Sequence, residues 1–112
     1  MFGLPKRDED FFDKFNTLIN ENLASENLGV EWLSEKMNVS QSTLTRKIKK
    51  MLNTTPKNYI RSVRLAKAAE MLRDSHGNSI TDICYATGFS SVSYFAKCFK
   101  EQYGKVPTEY AA

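Results

Sequence analysis

The sequence predicts an all-α fold of about seven helices, arranged as two helix-turn-helix subdomains joined by a long shared helix. Three observations predict it. Apolar residues recur every three or four positions through most of the chain, and no segment alternates apolar with polar as a strand would. Residues that start and stop helices (Ser40, Asn53, Thr55-Pro56, Ser79, Gly88, Gly104) fall between those segments. The chain also echoes itself at a spacing of 51 residues: Ser42, Leu44, Arg46, Lys49, Asn53, Pro56 and Tyr59 are answered by Ser93, Phe95, Lys97, Lys100, Gly104, Pro107 and Tyr110. Polar answers polar, apolar answers apolar and basic answers basic. One supersecondary unit is therefore used twice.

The elements follow in order. Gly3 and Pro5 discourage regular structure, so residues 1–7 read as a linker or arm ahead of a domain over 8–112. Asp8, Glu9 and Asp10 suit a helix start, where the backbone dipole favours negative charge. Phe11, Phe12, Phe15, Leu18, Ile19 and Leu23 carry that helix over about 8–24. Val30, Leu33 and Met37 mark a short second helix, and Asn38 suits the left-handed turn after it. The first helix-turn-helix thus spans about 30–52. Ser40 is the expected N-cap of its second helix, whose buried stripe is Leu44, Ile48, Met51 and Leu52.

Thr55 and Pro56 open the shared helix, about 56–73, because proline is well placed at a first helical position. It is apolar around much of its girth, as a helix serving two lobes would be. Asp74-Ser75-His76-Gly77-Asn78 is a loop. Ser79 and Asp82 form a capping box for the next helix, about 80–87. Gly88 turns the chain, Ser90 or Ser91 caps a helix over about 92–103, and Pro107 to Tyr110 make a last turn of helix. The second helix-turn-helix is therefore about 80–103.

Charge is unevenly distributed. Residues 1–40 carry net −4, residues 41–73 carry net +8, and residues 74–112 carry net −1. A basic middle in a nearly balanced chain is the footprint of a polyanion partner or simply of a solvated helix face. No run of apolar residues is long enough to span a membrane, and the first residues lack the apolar core of a signal peptide, so no membrane contact and a cytoplasmic, nucleoid-associated location are expected. Cys84 and Cys98 read as small buried thiols. With His76 the lone histidine, no zinc set is completed. No glycine-rich phosphate loop or nucleophile beside a base is present, so neither a cofactor nor catalysis is expected.

A major groove admits one helix and presents donors and acceptors on base edges. Such a helix must be apolar behind and carry short polar or guanidinium side chains in front. The first unit meets this with Ser42, Thr45 and Arg46 facing bases, and Ser40, Lys49 and Lys50 toward phosphates. The second offers Ser93, Tyr94 and Lys97 to bases, with Ser90 and Lys100 toward phosphates. The rod between them, roughly 27 Å long at 1.5 Å per residue, would set both helices about one DNA turn apart on one face. Arg61 and Arg64 suit internal ion pairs as well as phosphates, and Tyr94 could pack on its own lobe. Trp32, Tyr59 and Tyr110 read as packing residues. A helical protein-interaction module is the competing reading.

The run Ile80-Thr81-Asp82-Ile83-Cys84-Tyr85-Ala86-Thr87-Gly88-Phe89-Ser90-Ser91, continuing Val92 to Lys100 and then Gly104, Pro107 and Tyr110, resembles the AraC/XylS family of bacterial transcription regulators. The first unit adds Leu44, Arg46, Lys49, Pro56, Tyr59, Ile60, Arg64, Leu65 and Ala68, so the resemblance covers about residues 12–110. It implies a homeodomain-like, seven-helix module whose third and sixth helices enter two successive major grooves of double-stranded DNA. The same six base-facing positions carry over. Asn53 departs from a usual glycine, and Lys97 and Ala111 depart from usual arginines. The wording is most like modules that end hybrid two-component regulators of Bacteroides type. That implies a longer parent chain, membrane-anchored in some arrangements, with the kinase activity elsewhere. The resemblance also implies an activator's contact with RNA polymerase, and a stand-alone regulator of the same family is the alternative to the hybrid one.

Overall fold

Apolar periodicity becomes seven helices in the computed structural model, which describes residues 4–74 and 78–111: α1 (Lys6–Glu21), α2 (Val30–Lys36), α3 (Gln41–Leu52), α4 (Pro56–Arg73), α5 (Ile80–Ala86), α6 (Val92–Tyr103) and α7 (Pro107–Ala111). No strand occurs among the described residues. Residues 75–77, with His76, which the sequence reads as part of a loop, lie outside them.

Helix α1 begins two residues before the expected start. Pro5 stands at its N-cap, and its carbonyl accepts from the Asp8 and Glu9 N–H groups, so Lys6 and Arg7 belong to the helix and not to an arm. It ends at Glu21 because the Asn22 side-chain amide donates to the Leu18 carbonyl at 2.7 Å, occupying a group the helix would otherwise need. The remaining caps have direct chemistry. Ser40 Oγ accepts from Thr43 N–H, Thr55 Oγ1 from Asn58 N–H, and Ser79 with Asp82 makes the reciprocal capping box.

Two cores result, both threaded by α4. Phe15, Ile19, Leu28, Leu33, Met37, Leu44, Ile48 and Ile60 form the first; Leu65, Ala68, Ala69, Leu72, Ile83, Cys84, Phe89, Phe95, Cys98 and Phe99 form the second. Helix α4 therefore gives Ile60, with Tyr59 and Val63 beside it, to one lobe and Leu65, Ala68, Ala69 and Leu72 to the other, which is why its sequence is apolar on several sides. An aromatic chain of Phe95, Phe99, Tyr103 and Tyr110, with successive centroids 4.7–5.8 Å apart, closes the second lobe. Tyr59 donates its hydroxyl to Asn16 Oδ1 at 2.7 Å, and Tyr110 accepts from Arg73 at 2.7 Å, so both matched tyrosines are packing residues. Trp32 is half-buried against the first core, with Lys36 Nζ 5.6 Å from its ring. Cys84 and Cys98 are free thiols in the second core, and burial pushes the Cys84 thiol up.

The echo holds at the level of backbone. Leu44 and Phe95 are both fully buried, as are Ile48 and Phe99. Asn53 (φ 56°) and Gly104 (φ 79°) both end their helices left-handed, donating to the carbonyls of Lys49 and Lys100. The units differ in one detail. From α2 to α5 the spacing is 50 residues, but from α3 to α6 it is 51, so the second turn is one residue longer. Ser91, 51 residues after Ser40, is the cap of α6, its Oγ accepting from Tyr94 N–H at 3.2 Å. Ser90 is then the additional residue of the turn. Ser91→Ala should cost about 1 kcal/mol in chemical denaturation, the usual worth of a serine cap, whereas Ser90→Ala should stay within about 0.5 kcal/mol. Equal losses would put the cap elsewhere.

Candidate nucleic-acid interface

Helix α3 is held from behind by Leu44 and Ile48, both without solvent exposure, so its other side must face water. Ser42, Thr45, Arg46, Lys49 and Lys50 are all exposed there. Ser40 is exposed too, but its Oγ already accepts from Thr43 N–H and lies 3.3 Å from Ser42 Oγ. Helix α6 repeats the arrangement. Phe95 and Phe99 are buried, while Ser93, Tyr94, Lys97 and Lys100 are exposed. Every side chain expected to face bases is thus solvent-facing and carried on a helix anchored by fully buried residues.

Not every cation of the basic middle is available. Lys47 turns inward: its ammonium lies 4.9 Å from the Phe11 ring and 3.9 Å from the Asp8 carboxylate. Arg46 and Lys50, its neighbours, line a concavity of about 200 Å³ together with this Lys47–Asp8 pair and with Arg7 from the start of α1. The sequence places Arg7 in a linker or arm; the helix start brings it beside α3, and in the sequence only its charge hints at this.

Tyr94 resolves in an intermediate way. Its ring is 45% exposed, its centroid is 6.3 Å from that of Phe89, and its hydroxyl accepts from Arg61 Nη1 at 3.3 Å. It leans on its own lobe and on α4 while remaining accessible. Arg61 also donates to Asn58 Oδ1 at 2.9 Å, and the bond to Tyr94 is the main reason its guanidinium is held above its usual range. Arg64 donates to the carbonyls of Leu23 (3.0 Å) and Ser25 (3.4 Å), and burial lowers its affinity for the proton. Neither arginine makes the internal ion pair that sequence allowed; among the described residues, the ion pairs are Lys6–Asp10, Lys47–Asp8 and Lys67–Glu70.

Ser90 does not provide the helix-start amides that made it a phosphate candidate, since Ser91 occupies the cap. It lines a cleft between the lobes instead. Gly88 explains how that cleft is closed at its back. Its φ is +96°, and a Cβ there would sit 2.1 Å from the Leu23 carbonyl oxygen and 2.5 Å from Arg64 Nε. The second lobe's turn therefore packs on the carbonyl that Arg64 holds, which pins lobe to lobe. Sequence reasoning read Gly88 as a turn glycine and missed this contact.

No group of three or more metal-ligating residues occurs among the described residues, and no helix there is long and apolar enough to cross a membrane.

A helix-turn-helix domain family matches residues 33–112. "Histidine kinase P4" of Formosa agariphila is 37% identical over 103 residues, covering 92% of this chain and 7% of that protein. The "HTH-type transcriptional activator RhaS" of Mannheimia succiniciproducens is 39% identical over 89 residues, covering 80% of this chain and 33% of that one. This chain therefore spans a third or less of either relative. A solved transcriptional regulator from Chromobacterium violaceum, described as having an AraC-type DNA-binding domain, superposes with a TM-score of 0.86 at 26% identity, over 96% of this chain and 94% of that one. With two helix-turn-helix units on one shared helix and these likenesses across nearly its whole length, the chain belongs to the AraC/XylS family of DNA-binding transcription regulators.

Proposed function

We propose that this module reads two successive major grooves on one face of double-stranded DNA, with α3 in the first and α6 in the second. The observation that carries the reading is the paired construction: two exposed polar faces, each backed by fully buried residues, built on a single helix of 18 residues. Ser42, Thr45 and Arg46 contact bases from α3; Ser93, Tyr94 and Lys97 do so from α6. Lys49, Lys50 and Lys100 bind phosphates, joined by the amide-bearing starts of α3 at Ser40 and of α6 at Ser91. Ser90 meets the backbone from the turn beside them. Arg46 is the one guanidinium among the base-facing positions, and arginine bonds guanine in bidentate fashion, so the α3 groove dominates specificity while α6 adds affinity.

In its parent protein the module serves as the output end of a two-component or hybrid sensor regulator. The kinase relative supports this, since only 7% of its length corresponds to this chain. The activator relative supports activation, and hence contact with RNA polymerase, from the same module in the cytoplasm. Catalysis belongs to other parts of such a chain.

Titration of duplex DNA over a series of salt concentrations tests the reading. Counterion release makes DNA binding steeply salt-dependent, by roughly 0.9 log units of affinity per log unit of salt for each phosphate neutralised. Lys50→Ala should weaken cognate and scrambled duplexes about equally and lower the slope by about one unit. A flat salt response of the unmodified protein would favour a protein-interaction module instead.

A further inference from the structure

Between the two lobes lies a cleft of about 380 Å³, away from the exposed faces of α3 and most of α6. Its walls come from the start of α2, the first half of α4 and the turn before α6. Lys57, Arg61 and Arg64 line it, and no carboxylate does. Arg64 is committed to the Leu23 and Ser25 carbonyls. Among the described residues Arg61 has only neutral partners, the Asn58 amide oxygen and the Tyr94 hydroxyl, and takes part in no ion pair; Glu101 acts on it only from beyond ion-pair distance. Lys57 is exposed and likewise without an ion-pair partner among the described residues. The cleft is thus a concave cationic surface with an apolar floor that includes Ile60 and Phe89.

We propose that this cleft is a third DNA contact, a saddle that receives the phosphodiester strand running between the two grooves, with Lys57 and Arg61 on its phosphates. This rests on the two-groove reading, because only then does a strand pass between the heads. The chemistry suits the occupant. A phosphate supplies the anion that the two cations lack, and the apolar floor suits the carbon face of deoxyribose. Arg61 leaves Tyr94 or shares it when a phosphate arrives, since a charged acceptor outcompetes a phenol for a guanidinium. Tyr94 is then released toward a base or sugar, which links occupation of the saddle to the reading head on α6. Contacts of this kind fix register without reading sequence.

The test uses the full 112-residue chain and the duplex recovered by selection from a random pool. Arg61→Ala and Lys57→Ala should each lower the salt slope by about one unit, on cognate and mixed-sequence duplex alike, and Arg61→Lys should restore it. Neither side chain bonds the backbone, so unchanged denaturation midpoints should accompany the loss. Neutral methylphosphonate linkages placed singly along the strand should weaken binding of the unmodified protein at a position between the two protected segments. The same linkage should cost the Arg61→Ala protein nothing further. Slopes unchanged in both alanine variants would overturn the saddle while leaving the two-groove reading intact if two segments are still protected. Protection of one segment alone would remove the reading on which the saddle rests.

Discussion

Gly88→Ala should destabilise the protein by about 2–5 kcal/mol, combining about 1–2 kcal/mol for a left-handed alanine with about 1–3 kcal/mol of overpacking. The overlap is with groups that cannot readily give way. A Cβ would meet the Leu23 carbonyl oxygen at 2.1 Å, which is backbone, and the Arg64 guanidinium at 2.5 Å, which that carbonyl and Ser25 hold in place. Gly104→Ala is the matched control. Gly104 is also left-handed, at φ +79°, but a Cβ there has nothing within 4 Å, so it should lose only the conformational part, about 1–2 kcal/mol. The difference between the two, read from denaturant midpoints at constant m-value, isolates the contact between lobes. Equal losses would mean that the turn of the second lobe is not packed on the first lobe's carbonyl.

Arg46→Ala should remove about 1–3 kcal/mol of discrimination between the cognate site and a scrambled one, hence a loss of roughly 5- to 150-fold in specificity. Arg46 is exposed on the side of α3 opposite Leu44 and Ile48, and no ion pair among the described residues holds it. The same side chain lines the concavity shared with Arg7, Lys47 and Lys50, where the Asp8 carboxylate is paired with Lys47, so the net positive surroundings favour extension toward an anionic or acceptor partner. Cognate affinity should therefore fall while scrambled duplex is affected less. Equal weakening of both would make Arg46 a phosphate ligand and leave the base reading of α3 to Ser42 and Thr45.

Local chemistry made much of the fold legible. Ser40, Thr55 and the Ser79–Asp82 pair name helix starts because a short polar side chain before an apolar stripe has one good use there. Asn38 names a left-handed turn for a similar reason, and its φ is 56°; Asn53, read only as a helix stop, has the same φ. The error at α1 has a physical cause. Pro5 was read as a breaker, but its carbonyl serves a helix start well, and it brought Arg7 into the helix and beside α3. The choice between Ser90 and Ser91 needed the register of the echo, which assigns the cap to Ser91 because Ser40 lies 51 residues earlier. The exposed faces of α3 and α6 follow from periodicity. The contacts of Arg61 with Tyr94, of Arg64 with Leu23 and Ser25, and of Gly88 with Leu23 and Arg64 do not, because they join residues far apart in the chain, and nothing in local pattern encodes which carbonyl or hydroxyl an arginine will find.

The central claim is that one chain carries two reading heads. Footprinting on a selected site, at protein concentrations where sedimentation shows only monomer, tests it most directly. Two protected major-groove segments about one helical turn apart on one face are expected, with the segment under α3 the less tolerant of base changes. Protection of a single segment by monomer, or of a palindromic site by dimer alone, would contradict it.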